Sequence, residues 1–451
     1  MDLKGKRVLV VGAARSGQAV ARFLAAREIQ VTLTDARRRS ELHLGELAGV
    51  RLALGAYPEI SPQSWDLVVV SPGVPFDAPL LVQAREQGIP VIGELELAWC
   101  FTRAPVIAVT GTNGKTTTTA LLGEVFRQAG RRTLVAGNIG VPLISEVEAY
   151  GPEDMIVVEV SSFQLETVHD FRPLVAVILN LTPDHLDRHG TMEAYVEAKA
   201  AIVANQGPSD WTVLNHDDPV TAALASRTKG SVIFFSRQHK LEQGVFIQEG
   251  QILARGAAGE TLVCGTDSLA LPGTHNQENA LAAVAAGWAV GVDTAALARA
   301  LAGFRGVPHR LEAVGQIDGV SYVNDSKATN PEAACRALEA YAEPIVLIAG
   351  GRNKGNDFNI LMERTREKAR VLIVLGECAD EMMRAADLAG VAHVLQAADL
   401  AEAVGLARNA ALPGEVVLLS PACASWDMFE SYEERGDLFR RLVQELAREA
   451  G

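Results

Sequence analysis

Residues Val106 to Thr119 read VIAVTGTNGKTTTT, a stretch that concentrates the residue types used to hold phosphate. Its apolar start predicts a buried strand. Gly111 and Gly114 let loop amides point at phosphate oxygens, Lys115 adds a compact positive charge, and the helix that follows favours anions through its dipole. Thr116 is positioned to bind magnesium. The pattern is a shortened GxxGK[ST], because Val109 stands where the full phosphate-loop pattern has glycine. A tight strand-to-helix turn with an exposed lysine is the plain alternative, and the strand before and the helix after weigh against it.

Carboxylate and imidazole groups follow two further predicted strands. Glu159 lies at the carboxyl end of the apolar run Ile156 to Val160, where α/β proteins bind ligands and where a glutamate can hold magnesium between nucleotide phosphates. A solvated carboxylate is the ordinary alternative. The segment Thr182 to His189, TPDHLDRH, sets His185 among carboxylates beside a helix. Alone, such a pair suits capping or surface ion pairing, and the phosphate loop shifts the reading towards ligation. Lys199, on a helix beginning near Thr191, reads by composition as a solvated cation with a pKa of roughly 10.4. A cation would repel a metal-phosphate centre, whereas a carbamylated Lys199 would carry an anion able to bind a second magnesium.

Gly12, Ala14 and Gly17 follow a strand and open a helix, and Asp35 ends the next strand, in a relaxed form of the dinucleotide-binding fingerprint. Arg15 and Ser16 suit a diphosphate at the helix N-terminus, and Asp35 and Arg37 a nucleoside end. NAD binding stays open on these residues, as does a glycine that serves only helix-strand packing. Further on, His275, Asn276 and Asn279 open an Ala-rich helix and suit either a purine or a helix cap. PHR carries His309 and Arg310, and NDSKATNP carries Asp325, Lys327, Thr329 and Asn330 between a strand and a helix. AGGRNKGNDF places Lys354 after one buried strand, and SPACASWDMFESYEERG places Ser425, Trp426 and Tyr432 after another.

The scaffold for these residues is legible in the hydrophobic pattern. Short runs rich in Val, Ile and Leu alternate with amphipathic segments of helical length, which predicts an α/β protein with parallel sheets covered on both faces. Expected strands include Arg7 to Val11, Gln30 to Thr34, Leu67 to Ser71, Pro90 to Ile92, Val106 to Thr110, Val175 to Asn180, Ile345 to Ala349, Val371 to Leu375 and Glu415 to Ser420. VFIQEGQILARG predicts a hairpin turning at Glu249-Gly250. Gly306 and Pro308 in FRGVPHR mark a linker. With 451 residues, and roughly 150 per domain, three domains are expected: a Rossmann-like 1–93, a P-loop ATPase-like 94–306 with a parallel sheet, and a Rossmann-like 307–451.

Composition narrows the partners. Hydrophobic residues at 48% and charged residues at 21% exclude a disordered chain. The 41 basic and 55 acidic residues, a net charge of −14, argue against a nucleic-acid or anionic-membrane binder. Five cysteines far apart, without a CxxC pair, fit a reducing compartment and neither a disulfide framework nor a thiolate zinc site. The apolar stretch Ala280 to Val292 falls short of the roughly 18 residues that span a bilayer. Lys4, Lys6 and Arg7 before VLVVGAA imitate a signal peptide, but Arg15 ends the apolar run. A cytoplasmic protein acting on small molecules is expected.

Taken in order, these motifs resemble the Mur ligase family over essentially the whole chain. GTNGKTT is shared with the wider superfamily, including folylpolyglutamate synthase, while NDSKATNP and SPACASWDMF followed by YEERG are more discriminating. The resemblance implies an ATP-dependent ligase of peptidoglycan precursor synthesis, and so of cell wall biogenesis, cell shape and cell division. Its substrates would be UDP-N-acetylmuramoyl-L-alanine, D-glutamate and ATP, joined through an acyl phosphate and a tetrahedral intermediate by a monomer using two magnesium ions. By matching positions, Lys115, His185 and Lys199 would be catalytic. Gly111, Thr112, Asn113, Gly114, Lys115, Thr116, Thr117, Asn279, Arg310, Asp325 and Lys327 would serve ATP. Thr116, Glu159, His185 and carbamylated Lys199 would hold metal. Ser16, Asp35, Arg37, Gly73, Asn138, Ser161 and Gln164 would meet the UDP-substrate, and Thr329, Lys354, Ser425, Trp426 and Tyr432 the D-glutamate. Residues from several domains in one reaction imply closure around a reactive intermediate.

Two other classes compete. A dehydrogenase would use Gly12 to Gly17 with Asp35, leaving GTNGKTT unexplained, and a nucleotide-binding regulator would bind ATP without turnover.

Overall fold

Aliphatic and β-branched runs of three to seven residues form the strands of three sheets. The structure is a computed structural model that describes every residue except His43, Pro272, Lys354 and Gly451, and the side chains of Asp187 and Ala450. Lys354, expected at the amino-acid site, therefore lies outside the described residues. The chain divides into two compact units, 1–304 and 305–451.

The first unit holds two sheets. One comprises β1 (Arg7–Val11), β2 (Gln30–Asp35), β3 (Val50–Leu54), β4 (Leu67–Val70) and β5 (Val91–Gly93), all parallel in the order β3-β2-β1-β4-β5. From β1 the chain winds outward through β2 and β3, then returns to the other side of β1 with β4. Loops 12–17 and 71–74 thus flank the switch point, where open α/β sheets leave a crevice for ligands. Helix Arg15–Ala25 presses Ala19, Val20, Ala21 and Leu24 onto this sheet. Close packing there depends on Gly17, because a Cβ at that position would lie 1.8 Å from the carbonyl oxygen of Gly12.

The second sheet adds β6 (Val106–Thr110), β7 (Thr133–Gly137), β8 (Met155–Glu159), β9 (Val175–Ile178), β10 (Trp211–Asn215), β11 (Ser231–Ser236), β12 (Gly244–Gln248), β13 (Gln251–Gly256) and β14 (Gly259–Gly265). Their order is β14-β13-β12-β11-β10-β9-β6-β8-β7, parallel from β7 through β12 and antiparallel beyond. The predicted hairpin is the β12-β13 pair, with Glu249 and Gly250 at its tip. The switch point lies between β6 and β9, so the phosphate-loop segment and residues 179–185 emerge side by side. Helix Lys115–Gln128 and the Ala-rich helix Thr274–Ala289 bury one face of the sheet through Leu121, Leu122, Val125, Leu281 and Val284. A single apolar cluster runs from Val8, Leu24 and Ile92 through Leu95 and Ile144 to Ile156, Phe171 and Tyr195, joining the two sheets into one unit.

The second unit carries β15 (Glu312–Ile317), β16 (Val320–Asn324), β17 (Ile345–Gly350), β18 (Ala369–Leu375), β19 (Val394–Gln396) and β20 (Val416–Leu419). They lie in the order β15-β16-β20-β17-β18-β19, with only β15 antiparallel. Its switch point falls between β17 and β20, and loops 351–356 and 420–426 leave from there.

The expected strands all form, within two residues at either end. Strands β3, β14, β15 and β19 carry polar residues or glycine among half-exposed positions, so their sequence does not read as a buried run. Helix Arg15–Ala25 ends three residues before Glu28, which adopts a positive φ in the turn to β2. Gly17→Ala should therefore destabilise the first unit by about 1–3 kcal/mol, the usual cost of overpacking. Urea unfolding of wild type and variant measures it.

Candidate active site

Strand β6 ends at Thr110, and the loop 111–114 turns into helix Lys115–Gln128 with Gly114 as its N-cap at φ +83°. Lys115 Nζ donates to the carbonyl oxygens of Gly111 at 2.8 Å and Thr112 at 2.6 Å. Asn113 N–H donates to Asn180 Oδ1 at 2.8 Å, and the Thr112 hydroxyl meets Thr182 O and the Tyr195 hydroxyl. The loop is thus braced by the segment after β9. Thr116 is buried at the first turn of the helix, and Thr117 is half-buried beside it.

Lys199 departs from the solvated cation that composition predicts. It is 2% exposed, and its Nζ donates to the same Gly111 carbonyl at 3.0 Å and to Thr110 Oγ1 at 3.4 Å. Tyr195 presents its ring 4.8 Å away. Burial and the nearby Lys115 ammonium push the Lys199 pKa down to about 7, against weaker pulls from Asp184 and Glu159. A large share of this amine is therefore neutral near neutral pH, as carbamylation requires.

Glu159 ends β8 and is 2% exposed. Its Oε1 accepts from Asn138 Nδ2 at 2.9 Å, and its Oε2 is buried with no hydrogen-bond partner among the described residues. A buried carboxylate oxygen left unpaired is costly, and its chemistry suits a hard divalent cation. Ser161 and Gln164 bond one another as a capping box on helix Ser162–Leu165, with Ser161 Oγ accepting from Gln164 N–H and both Ser161 N–H and Oγ–H donating to Gln164 Oε1. His185 is the N-cap of helix Leu186–His189 at φ +52°, its side chain makes no capping hydrogen bond, and its ring packs 5.0 Å from Phe163.

Residues that sequence reasoning missed surround this group. Arg188 donates to Glu166 Oε2 at 2.9 Å and to the carbonyls of Pro72 and Val74, bridging the loop after β4 to the second sheet. Its guanidinium lies 4.1 Å over Phe163, which also stacks on His189. Phe163, Gln164, Arg188, Ser71 and Val74 line a narrow cleft between the two sheets. Arg188 lies within TPDHLDRH, but no spacing rule points its side chain across 114 residues.

In the first sheet, Asp35 is committed. Its Oδ2 accepts from Ala13 N–H at 2.8 Å, and Arg37 donates to both carboxylate oxygens. Burial opposes its ionisation, yet Arg37 and the Ala13 amide hold its pKa down to about 2. Ser16 is half-buried in the first turn of helix Arg15–Ala25, and Gly73 is exposed on the facing loop. Asn279 does not cap the Ala-rich helix, whose N-cap is Gly273; it accepts from Thr118 Oγ1 at 3.2 Å, and with Thr117, Leu269, Leu271 and Phe304 it lines an apolar pocket.

In the second unit, buried Asp325 follows β16. Burial raises its pKa to about 6, although Ser420 Oγ and Leu311 N–H donate to it and Arg310 and Lys327 attract it. Thr329 is half-buried before helix Pro331–Glu339, Ser425 is buried after β20, and Trp426 is 48% exposed. The Tyr432 ring lies 6.1 Å from that of His309. Arg435 was overlooked in sequence. Only 2% exposed, it donates to Ser326 Oγ and O and to Cys423 O, clamping the loop after β16 to that after β20.

Comparison with known proteins agrees with this arrangement. Residues 6–93 match the Mur ligase MurD-like N-terminal domain, 109–287 the Mur ligase middle domain and 309–423 the Mur ligase glutamate ligase domain. A UDP-N-acetylmuramoylalanine--D-glutamate ligase of Pelotomaculum thermopropionicum is 57% identical, covering 99% of both chains. The chain belongs to the Mur ligase family. A second Mur ligase with the same name, from Koribacter versatilis, is 46% identical over 99% of both chains. The crystal structure of UDP-N-acetylmuramate-alanine ligase MurC from Thermotoga maritima shares the Mur ligase fold at 20% identity, with TM-score 0.55 over 98% of this chain and 99% of its own.

The lysine pair yields a prediction. Competitive acylation should show Lys199 titrating near 7, and Lys115→Met should raise that midpoint by removing the neighbouring ammonium. An unchanged midpoint in the variant would show that the two charges do not interact.

Proposed function

We propose that this Mur ligase joins D-glutamate to UDP-N-acetylmuramoyl-L-alanine at the expense of ATP; its full-length relatives are named as ligases of UDP-N-acetylmuramoylalanine and D-glutamate. The observation that carries the chemistry is the grouping of Lys115 and Lys199 on one carbonyl beside a buried, unpaired Glu159 oxygen. The loop amides and the Lys115 ammonium suit the concentrated negative charge of a triphosphate, while the Glu159 oxygen and a Lys199 amine able to become a carbamate suit the cations that accompany it.

In the proposed reaction, an oxygen of the substrate carboxylate attacks the γ-phosphorus of ATP and ADP departs. The free amine of D-glutamate then attacks the acyl carbon, and the tetrahedral intermediate collapses to an amide with loss of phosphate and of the amine proton. Loop 111–114, Lys115, Thr116 and Thr117 are assigned to the ATP phosphates, and Asn279 to the nucleotide from the pocket wall. Arg310, Asp325 and Lys327 are assigned to ATP from the second unit, and Thr329, Lys354, Ser425, Trp426 and Tyr432 to D-glutamate. Asn138, Ser161 and Gln164 would orient the muramoyl part, with Ser16, Asp35, Arg37 and Gly73 at the uridine end. Domain limits near Gly93 and Gly306, a cytoplasmic location and a monomeric state belong to the same reading. Among the described residues no helix is long and apolar enough to cross a membrane.

The hydroxyl, carboxylate and carbamate oxygens of this donor set fit magnesium, and His185 is its one nitrogen. Thr116 and Glu159 would hold one ion, and His185 with carbamylated Lys199 a second. When bound, magnesium neutralises charge on the transferring phosphoryl group. Lys199 forms its carbamate when its neutral amine attacks carbon dioxide and releases a proton.

Lys115→Ala should lower ligase turnover by at least about a hundredfold, the scale of a lost transition-state cation. An ADP-release assay with UDP-N-acetylmuramoyl-L-alanine and amino acids of both hands tests the whole reading; release that ignores D-glutamate would refute it. Lys199→Ala should lose activity and regain part of it with short carboxylates. In the wild type, falling pH converts the Lys199 amine, whose pKa is about 7, to ammonium and disfavours the carbamate. Activity at limiting bicarbonate should therefore drop below pH 7 and recover when bicarbonate is added.

A further inference from the structure

Two imidazoles and a carboxylate with no role in the ligase reading meet at the carboxyl ends of β10 and β11. His216 and Asp217 directly follow β10, and His239 lies just past β11; one ligand atom from each falls within 4.8 Å of the other two. All three are pinned. His216 N–H donates to Phe235 O at 2.9 Å, and His239 N–H donates to Ser236 Oγ at 2.7 Å. Asp217 Oδ2 accepts from the backbone N–H groups of Arg237 and Gln238, while Oδ1 accepts from Ser236 Oγ at 2.6 Å and stands 3.0 Å from His239 Nδ1.

A simple turn would account for the Asp217-His239 hydrogen bond but not for His216. The ring nitrogens of His216 make no hydrogen bond among the described residues, yet the ring lies 5.5 Å from that of His239. Ligand atoms bound at about 2.0–2.1 Å to one tetrahedral ion stand about 3.3 Å apart, close to the spacing between Asp217 Oδ1 and His239 Nδ1. The two rings are exposed, giving an ion a route in, while the carboxylate side chain is 4% exposed and oriented by Ser236 and two amides, as outer-shell donors orient metal-binding carboxylates. The nearby Arg237 guanidinium is occupied by Glu278 at 3.2 Å, which reduces its repulsion of a cation.

We propose that His216, Asp217 and His239 form a binding site for a divalent transition metal of the zinc or cobalt class. Two nitrogens and one oxygen select such ions over magnesium or calcium, which prefer all-oxygen shells. His239 would exchange its hydrogen bond to Asp217 for ligation through Nδ1, moving its proton to Nε2, and water would complete the coordination. The ion would tie the loop after β10 to the loop after β11.

Cobalt(II) titrated into chelator-treated, tag-free, full-length protein without nucleotide, followed by its visible ligand-field bands, tests this. One equivalent should bind, zinc should displace it, and His216→Ala and His239→Ala should each weaken binding at least roughly tenfold. Unchanged thermal melting of these exposed-residue variants without metal would show that they remain folded. Absent bands, or bands that survive both substitutions, would overturn the site, as would a signal abolished by His185→Ala instead. None of these outcomes depends on ligase activity.

Discussion

A single carbonyl oxygen, that of Gly111, accepts hydrogen bonds from two lysines. Bringing half-buried Lys115 and buried Lys199 to one acceptor sets two ammonium groups against each other, and burial of Lys199 makes its charge the easier to lose. Much of the surrounding architecture serves that meeting. Strands β6 and β9 put the loop beside residues 179–185, Tyr195 braces Thr112, and the helix bearing Lys199 runs behind the loop. Glu159 contributes the opposite charge at the end of the adjacent strand.

The same topological rule recurs in every sheet. In each, polar or charged loops leave the carboxyl ends of strands beside a switch point, 12–17 with 71–74, 111–115 with 179–185, and 351–356 with 420–426, while Glu159 and Asp325 follow the neighbouring β8 and β16. Parallel strands align their carboxyl ends, and adjacent loops diverge where winding changes direction, leaving backbone groups accessible. Polar side chains are then recruited from far along the chain. Arg188 secures the crevice of the first unit and Arg435 that of the second, each through carbonyl acceptors that no local pattern announces.

Buried polar groups within these crevices are mostly satisfied by one another, as with Asp35 and Arg37, Ser161 and Gln164, or Asp325 and Ser420. Glu159 Oε2 and Asp427 Oδ1, buried without hydrogen-bond partners among the described residues, break this pattern.

Much of the protein was legible from residue order. Strong apolar runs revealed β1, β6, β8, β17 and β20 because parallel strands covered on both faces need continuous hydrophobicity, and VTGTNGKTT announced its strand, loop and helix start because an apolar run followed by glycine at a positive φ answers a local requirement. The family resemblance carried by NDSKATNP and SPACASWDMF was legible for the same reason: each motif is contiguous. What only tertiary structure decided were properties that depend on surroundings. Composition makes Lys199 an ordinary surface cation, and burial beside Lys115 lowers its pKa; sequence sets Asp35 and Arg37 two residues apart at a strand end, and the fold pairs them with each other and with the Ala13 amide. Chain order specifies which groups exist and which local elements they start or end, whereas charge state and partnership arise from desolvation and contacts between residues distant in sequence.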